Sequence, residues 1–192
     1  MFFLSKPAEN VVQHFLGAQE FSLFSYPHVG ESRTGTSPAG YVIDQNRIQL
    51  GSGAETFARA KAAIRRWEMF AMPWLQLCWP DAPISVDTNV AILISHFGFW
   101  SLNAARIVYV VEDHGSCEKY GFAYGTLTEH GERGEERFIV EFHGTDASVW
   151  YDLFAFSRPN LAARIAYPLA RSLQRRFAKD SKLAMRRAVE TS

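Results

Sequence analysis

Apolar residues recur at alternate positions in one short segment after another from Val86 to Ser157. Beyond Pro159 the spacing lengthens to that of a helix, with Leu161, Ile165, Leu169, Leu173 and Phe177 on one face. Extended segments are predicted at Val86–Phe97, Arg106–Glu112, Tyr120–Leu127, Arg137–Phe142 and Ser148–Ser157, with Trp67–Trp79 ahead of them. Glycine, Asp and His punctuate the joins and no ten-residue helical pattern intervenes, so neighbours should pair antiparallel as a meander. Earlier in the chain, Tyr41–Leu50 alternates as a strand. Ser52-Gly53-Ala54-Glu55 then matches a capping box and opens a helix to about Trp67, with Phe57, Ala60, Ile64 and Trp67 along its buried stripe. A short first helix is expected from a Ser5 cap, with Pro7 just inside it, to Gly17. Pro159 suits the first turn of the last helix, and Pro168 should bend it between Arg164 and Pro168.

The pattern predicts an α+β fold: a curved antiparallel sheet of about six to seven strands packed on a long C-terminal helix, with a shorter helix after the first strand and an extra N-terminal helix. Residues 1–192 read as a single domain in which 1–39 form a helix-and-loop extension. Such an architecture usually leaves a cavity between its layers. Both faces of several strands are apolar: Ile107, Tyr109 and Val111 alternate with Val108 and Val110, and Val149, Tyr151 and Leu153 with Trp150 and Phe154. An antiparallel sheet with one wet face alternates polar with apolar, so the convex side also needs a cover. The first forty residues or a subunit interface would supply it, in a monomer or a homodimer.

At 192 residues, 47% hydrophobic and 14% aromatic, the chain can bury a large core without disulfides or a structural metal. Its formal charge of zero removes a global electrostatic case for nucleic acid. Locally, the last helix is basic, from Arg171, Arg175 and Arg176 to Arg186 and Arg187, whereas the 112–146 stretch carries nine acids against Lys119, Arg133 and Arg137. A solvated face balanced by acidic loops is favoured, because aromatic stacking platforms are not interleaved with these arginines. Peripheral contact with an anionic membrane is the alternative. Two distant cysteines and the lack of any long apolar stretch fit a cytoplasmic protein.

Catalytic motifs are scarce. Gly51-Ser52-Gly53 lacks the third glycine of a dinucleotide loop, the six histidines show no zinc-ligand spacing, and no Gly-x-Ser-x-Gly elbow occurs. Neither a cofactor nor a metal is expected. Tyr120, Phe122 and Tyr124 share one face of a strand whose other face, Gly121, Ala123 and Gly125, is nearly bare; a packed helix or the sheet's own curvature explains the bareness better than a ligand does. Arg106, Arg137 and Arg158 sit in or beside apolar strands and need partners, available in Glu112, Glu136, Glu141 and Asp152, or else they anchor an acidic ligand head. Glu135 and Glu136 point to opposite faces and read as surface and turn charge.

Several motifs in order, among them Leu50-Gly51-Ser52-Gly53, Arg65-Arg66-Trp67, Trp100-Ser101-Leu102-Asn103, Gly121-Phe122-Ala123-Tyr124-Gly125-Thr126-Leu127 and Phe156-Ser157-Arg158-Pro159, resemble the domain-of-unknown-function family numbered nineteen-ninety. That family is grouped with the helix-grip proteins related to START domains and the birch-pollen allergen (START/Bet v 1-like). The resemblance implies the same fold and a cavity under the last helix, and it implies no activity. The leading expectation is a binder of a small, largely hydrophobic molecule, lipid-like or polyketide-like. Tyr109, Phe122, Tyr124 and Trp150 would form its walls and Arg106 or Arg158 would hold a polar end. An enzyme in the same cavity would need convergence among His96, Tyr124, Glu136 and Arg158; no catalytic residue is assigned.

Overall fold

Period-two patterning translates directly into strands. The structure, a computed structural model, describes residues 1–36, 38–96, 98–159 and 167–190. Strand β1 (Phe2–Phe3) precedes helix α1 (Glu9–Ala18), and strand β2 (Val42–Ser52) runs into helix α2 (Ala54–Arg65). Six strands follow: β3 (Leu75–Cys78), β4 (Asn89–Ser95), β5 (Trp100–Asp113), β6 (Cys117–Thr126), β7 (Glu132–His143) and β8 (Ser148–Pro159). Helix α3 (Tyr167–Glu190) comes last. The sheet order is β2-β8-β7-β6-β5-β4-β3, antiparallel throughout, with β1 added on β5. This is the meander the joins predicted, closed by pairing the first long strand with the last.

The sheet curls around α3, as the helix-grip expectation required. Phe177 packs on Phe70 and Phe138, Tyr151 shares a hydrogen bond with Ser181, and Trp74 Nε1 donates to Asp180. Met185 and Val189 complete the helix's buried stripe. The basic residues of α3 are partly engaged: Arg171 pairs with Asp44, Arg176 lies over Trp74 and near Asp180, and Lys182 donates to Asn46.

Several boundaries differ from the sequence reading. The cap of α1 is Ala8 rather than Ser5, and no side chain caps it. Gly53, not Ser52, caps α2, in a conformation (φ 90°) that glycine adopts without a Cβ penalty, so the capping box does not form. The predicted start of a strand at Trp67 is instead a tight helical turn over Glu68–Phe70. Strand β5 begins at Trp100, six residues before Arg106, because Ser101 and Asn103 break the apolar alternation but still pair with β4. Pro159 is the last residue of β8, opposite Glu132, rather than the first turn of a helix. Leu161, Ile165 and the start of the expected bend at Arg164 lie outside the described residues.

The N-terminal segment covers the outer face. Val12 and Phe15 of α1 pack with Cys78, Leu93, Leu102 and Leu127, and Tyr26 packs with Phe154 and Phe156. Full burial of each such side chain stabilises by roughly 1.5–3 kcal/mol. Tyr26 accounts for one glycine of the bare row of β6, since a Cβ on Gly125 would lie 2.1 Å from its hydroxyl oxygen, whereas a Cβ on Gly121 would lie 2.0 Å from the Phe138 carbonyl oxygen of β7. The space beside that row is taken by a loop side chain and by the backbone of β7, not by a helix.

Glu135 corrects the reading of surface charge. It is 2% exposed and accepts hydrogen bonds from Tyr26 Oη (2.7 Å), Gly30 N (2.7 Å), Ser32 N (3.1 Å) and Ser32 Oγ, so one carboxylate latches the whole 26–32 loop onto β7. Burial and this carboxylate together push the Tyr26 phenol well above its ordinary range. Arg137 pairs with Asp152 at 2.9 Å on the same face, matching the expected ion pair.

Candidate functional site

Inward-facing side chains of the sheet and the first turns of α3 leave a cavity of about 290 Å³. Phe70, Trp74, Ile92, Ile94, Leu153, Leu173 and Phe177 form its apolar wall, and Phe2 and Phe99 lie at one edge. The polar end is built by strand parity. Gly134, Glu136 and Phe138 alternate inward on β7, Tyr124 lies on the neighbouring β6, and Asp44 comes from β2 across β8. A Cβ on Gly134 would lie 1.9 Å from the Phe156 carbonyl oxygen, so glycine there lets β7 and β8 approach closely.

Tyr124 donates to Glu136 Oε2 at 2.6 Å. Burial raises the Glu136 carboxyl to about 8, with the negative charges of Glu132 and Asp44 adding to the effect against the Tyr124 hydrogen bond. Burial likewise lifts the Tyr124 phenol well above its ordinary value. Glu132, also raised by burial, accepts from Gln174, which bonds Ser157 as well. Arg171 grips both oxygens of Asp44. His130 Nδ1 accepts from Glu132 N at 3.0 Å, and burial drops the ring to about 4, so it stays neutral at physiological pH. His96 is lowered by burial too, stacks on Phe99 and bonds Ser101. Chemically, this end can hold or exchange a proton near neutral pH, which requires a carboxyl placed as Glu136 is.

Of the six residues named from the sequence, Tyr124 lines the cavity. Phe122 faces the same side but is fully buried between Trp67 and Phe138, so it is core. The other four stand on the outer face. Arg106 donates to Asn89 and to the carbonyls of Gln19 and Glu20. Tyr109 is turned outward by a bulge between Ile107 and Tyr109 and meets Ser32, with Arg33 over its ring; burial raises its phenol to about 12. Trp150 carries Arg47 on its ring, and Arg158 lies over Tyr41. Neither Arg106 nor Arg158 reaches the cavity, so the polar end is acidic where the sequence reading placed a guanidinium. Of the four groups considered for catalysis, His96, Tyr124 and Glu136 share the cavity and Arg158 does not. Asp44, Glu132 and Gln174 were not singled out from the sequence, and β7 parity from Phe138 is the signal that reaches Glu132.

A second cluster lies on the outer face, where Cys117, Glu141 and His143 bring one donor atom each within 4.8 Å. Arg47 and Lys119 both pair with Glu141, and Arg47 also contacts His143 Nε2, so two cations hold the place a metal would take.

The model of the family described as "Domain of unknown function (DUF1990)" matches residues 25–184. The chain belongs to the DUF1990 family. A UPF0548 protein of Dictyostelium discoideum is 32% identical over 208 residues, covering 98% of this chain and 96% of its own. A UPF0548 protein of Deinococcus radiodurans is 36% identical over 191 residues, covering 93% and 94%. Among solved structures, that of Ara h 8.0201 superposes with a TM-score of 0.51 at 12% identity over 80% of this chain and all of that one, a likeness of fold alone. The fold is that of the Bet v 1-like, helix-grip proteins. The span matched to the DUF1990 family contains Asp44, Tyr124, Glu132, Glu136 and Gln174, so the whole polar end lies within it. Among the described residues no helix is long and apolar enough to cross a membrane.

Proposed function

We propose that the chain binds one small, largely apolar molecule in the cavity between the sheet and α3, with its polar end against Tyr124 and Glu136. The observation that carries this reading is the cavity itself: about 290 Å³ left open where a protein interior is normally close-packed. That volume sits at the lower end of the roughly 300–1,000 Å³ range of small-molecule sites, and a mostly apolar wall with a few convergent polar groups is their usual composition. The three carboxyl side chains of Asp44, Glu132 and Glu136 are gathered with Tyr124 and Gln174, which would give a guest one strongly polar contact.

Ala178 lines the cavity from α3 and is buried, so Ala178→Phe would fill part of it from a rigid helix. Native mass spectrometry against neutral lipid-like, sterol and polyketide-like compounds should find one-to-one complexes with the parent protein. These should weaken at least tenfold in the variant, whose circular dichroism remains that of the parent. Equal binding by parent and variant would place any guest elsewhere and end the proposal.

A further inference from the structure

Resting on that binding reading, we infer that the molecule the cavity takes is cationic: its polar end is a protonated amine seated against Glu136 and Glu132. Three carboxyl side chains, of Asp44, Glu132 and Glu136, face the polar end, and among the described residues no lysine or arginine lines the cavity. Arg171 approaches from α3 and takes Asp44 with two nitrogens. Among the described residues the remaining groups that face Glu136 carry no positive charge: Tyr124 on β6 and Tyr151 on β8 have raised phenols, and burial keeps His130 neutral. Among the described residues three acids thus meet one guanidinium, and a carboxylate guest would bring a further acid to a site that already keeps Glu136 protonated below about pH 8. An ammonium supplies the missing cation.

Hydrogen-bonding capacity points the same way. Glu136 Oε2 is taken by Tyr124, while Oε1 has no partner among the described residues and the side chain lines the cavity. An ammonium is donor-only, with three N–H bonds to give, and fits an open carboxylate oxygen flanked by a second carboxylate. Binding has a definite proton balance. Below about pH 8 Glu136 holds a proton, so an ammonium entering the site expels that proton to solvent and pairs with the carboxylate left behind. Amine affinity should therefore rise about tenfold for each pH unit up to that point, and level off until the amine itself deprotonates.

The test uses three probes with one apolar body, 1-naphthylmethylamine, 1-naphthylmethanol and 1-naphthoate, titrated calorimetrically into the full chain at pH 6, 7 and 8. Two buffers of different ionisation heat count the protons. The amine should bind best at pH 8, about fivefold less tightly at pH 7 and about a further tenfold less at pH 6, and release close to one proton per molecule at pH 6–7; naphthoate should bind at least tenfold more weakly than the amine. Glu136→Gln should abolish the proton release and collapse the preference of amine over alcohol. Naphthoate binding as well as the amine, or amine affinity independent of pH, overturns the inference. Binding of the alcohol without the amine overturns it while leaving the apolar cavity as a site, and binding of none of the three removes both.

Discussion

Replacing Glu136 by Gln should make the protein more stable at neutral and alkaline pH. A carboxyl whose proton affinity is higher in the folded chain binds more protons folded than unfolded, so stability falls as pH rises through the window between the two values. For Glu136 that window runs from 4.5 to about 8. At about 1.4 kcal/mol per tenfold change in proton affinity, the penalty above pH 8 is on the order of 5 kcal/mol. Water reaching the cavity side of the carboxyl softens it, and about 2–3 kcal/mol is the expected net effect. Gln keeps an acceptor for the Tyr124 hydroxyl and cannot ionise. Urea melts of the parent and Glu136→Gln at pH 5, 7 and 9 should show curves that nearly coincide at pH 5, with the variant ahead by about 2–3 kcal/mol at pH 9. For a chain of this size that is a melting-temperature gain of roughly 4–12 °C. A variant less stable than the parent at pH 9, or a difference that does not change with pH, would refute the assignment of a buried, proton-holding carboxyl.

Two further substitutions probe the outer face. Glu135→Ala leaves the Tyr26 hydroxyl and the Gly30 and Ser32 amides without their acceptor, and at about 1–3 kcal/mol per buried unsatisfied group the loss should be at least ~2 kcal/mol. Limited proteolysis should then cut within the 26–36 segment well before the sheet, and unchanged resistance there would show that the latch is unimportant. Asp152→Ala strands Arg137, whose side chain is only 14% exposed, and should cost about 3–5 kcal/mol in a urea melt; a loss below about 1 kcal/mol would mean that the bond from Arg137 to the Ser32 carbonyl suffices.

The strand order could be read from the sequence because each strand states its period locally, and so could the helix at the end. Which face of a strand looks inward could not, because both faces are apolar. Tyr109 and Trp150 illustrate the two ways this fails. A bulge after Ile107 shifts parity by one residue, so Tyr109 leaves the face that Ile107 occupies. Trp150 alternates with Val149 and Tyr151 in a strand whose two sides look equally oily, and the N-terminal cover decides that the tryptophan side is outer. Tyr124 faces the cavity, and on the opposite side of its strand Tyr26 fills the space beside Gly125. Asp44 and Glu132 lie near strand ends, where an acid ordinarily meets solvent. Only α3, bringing Arg171 and Gln174 over them, turns them into the wall of a cavity.

The dipeptide Glu135-Glu136 separates structural from functional burial within one strand. Successive side chains of a strand point to opposite faces, so two chemically identical carboxyls only one residue apart meet different surroundings. Glu135 has four donors on its two oxygens and fastens a loop, leaving no capacity unused. Glu136 has one donor, an open oxygen and a proton affinity raised chiefly by burial, with its acidic neighbours adding to it. Buried polar groups in native proteins are hydrogen-bonded almost without exception, and a carboxyl left short of partners costs stability that Leu or Gln at the same place would not. That cost falls in the wall of a largely apolar cavity, on the same strand that satisfies its other carboxyl completely. The missing partner of Glu136 is therefore best sought in what enters the void, and a donor of positive charge is the partner its surroundings specify.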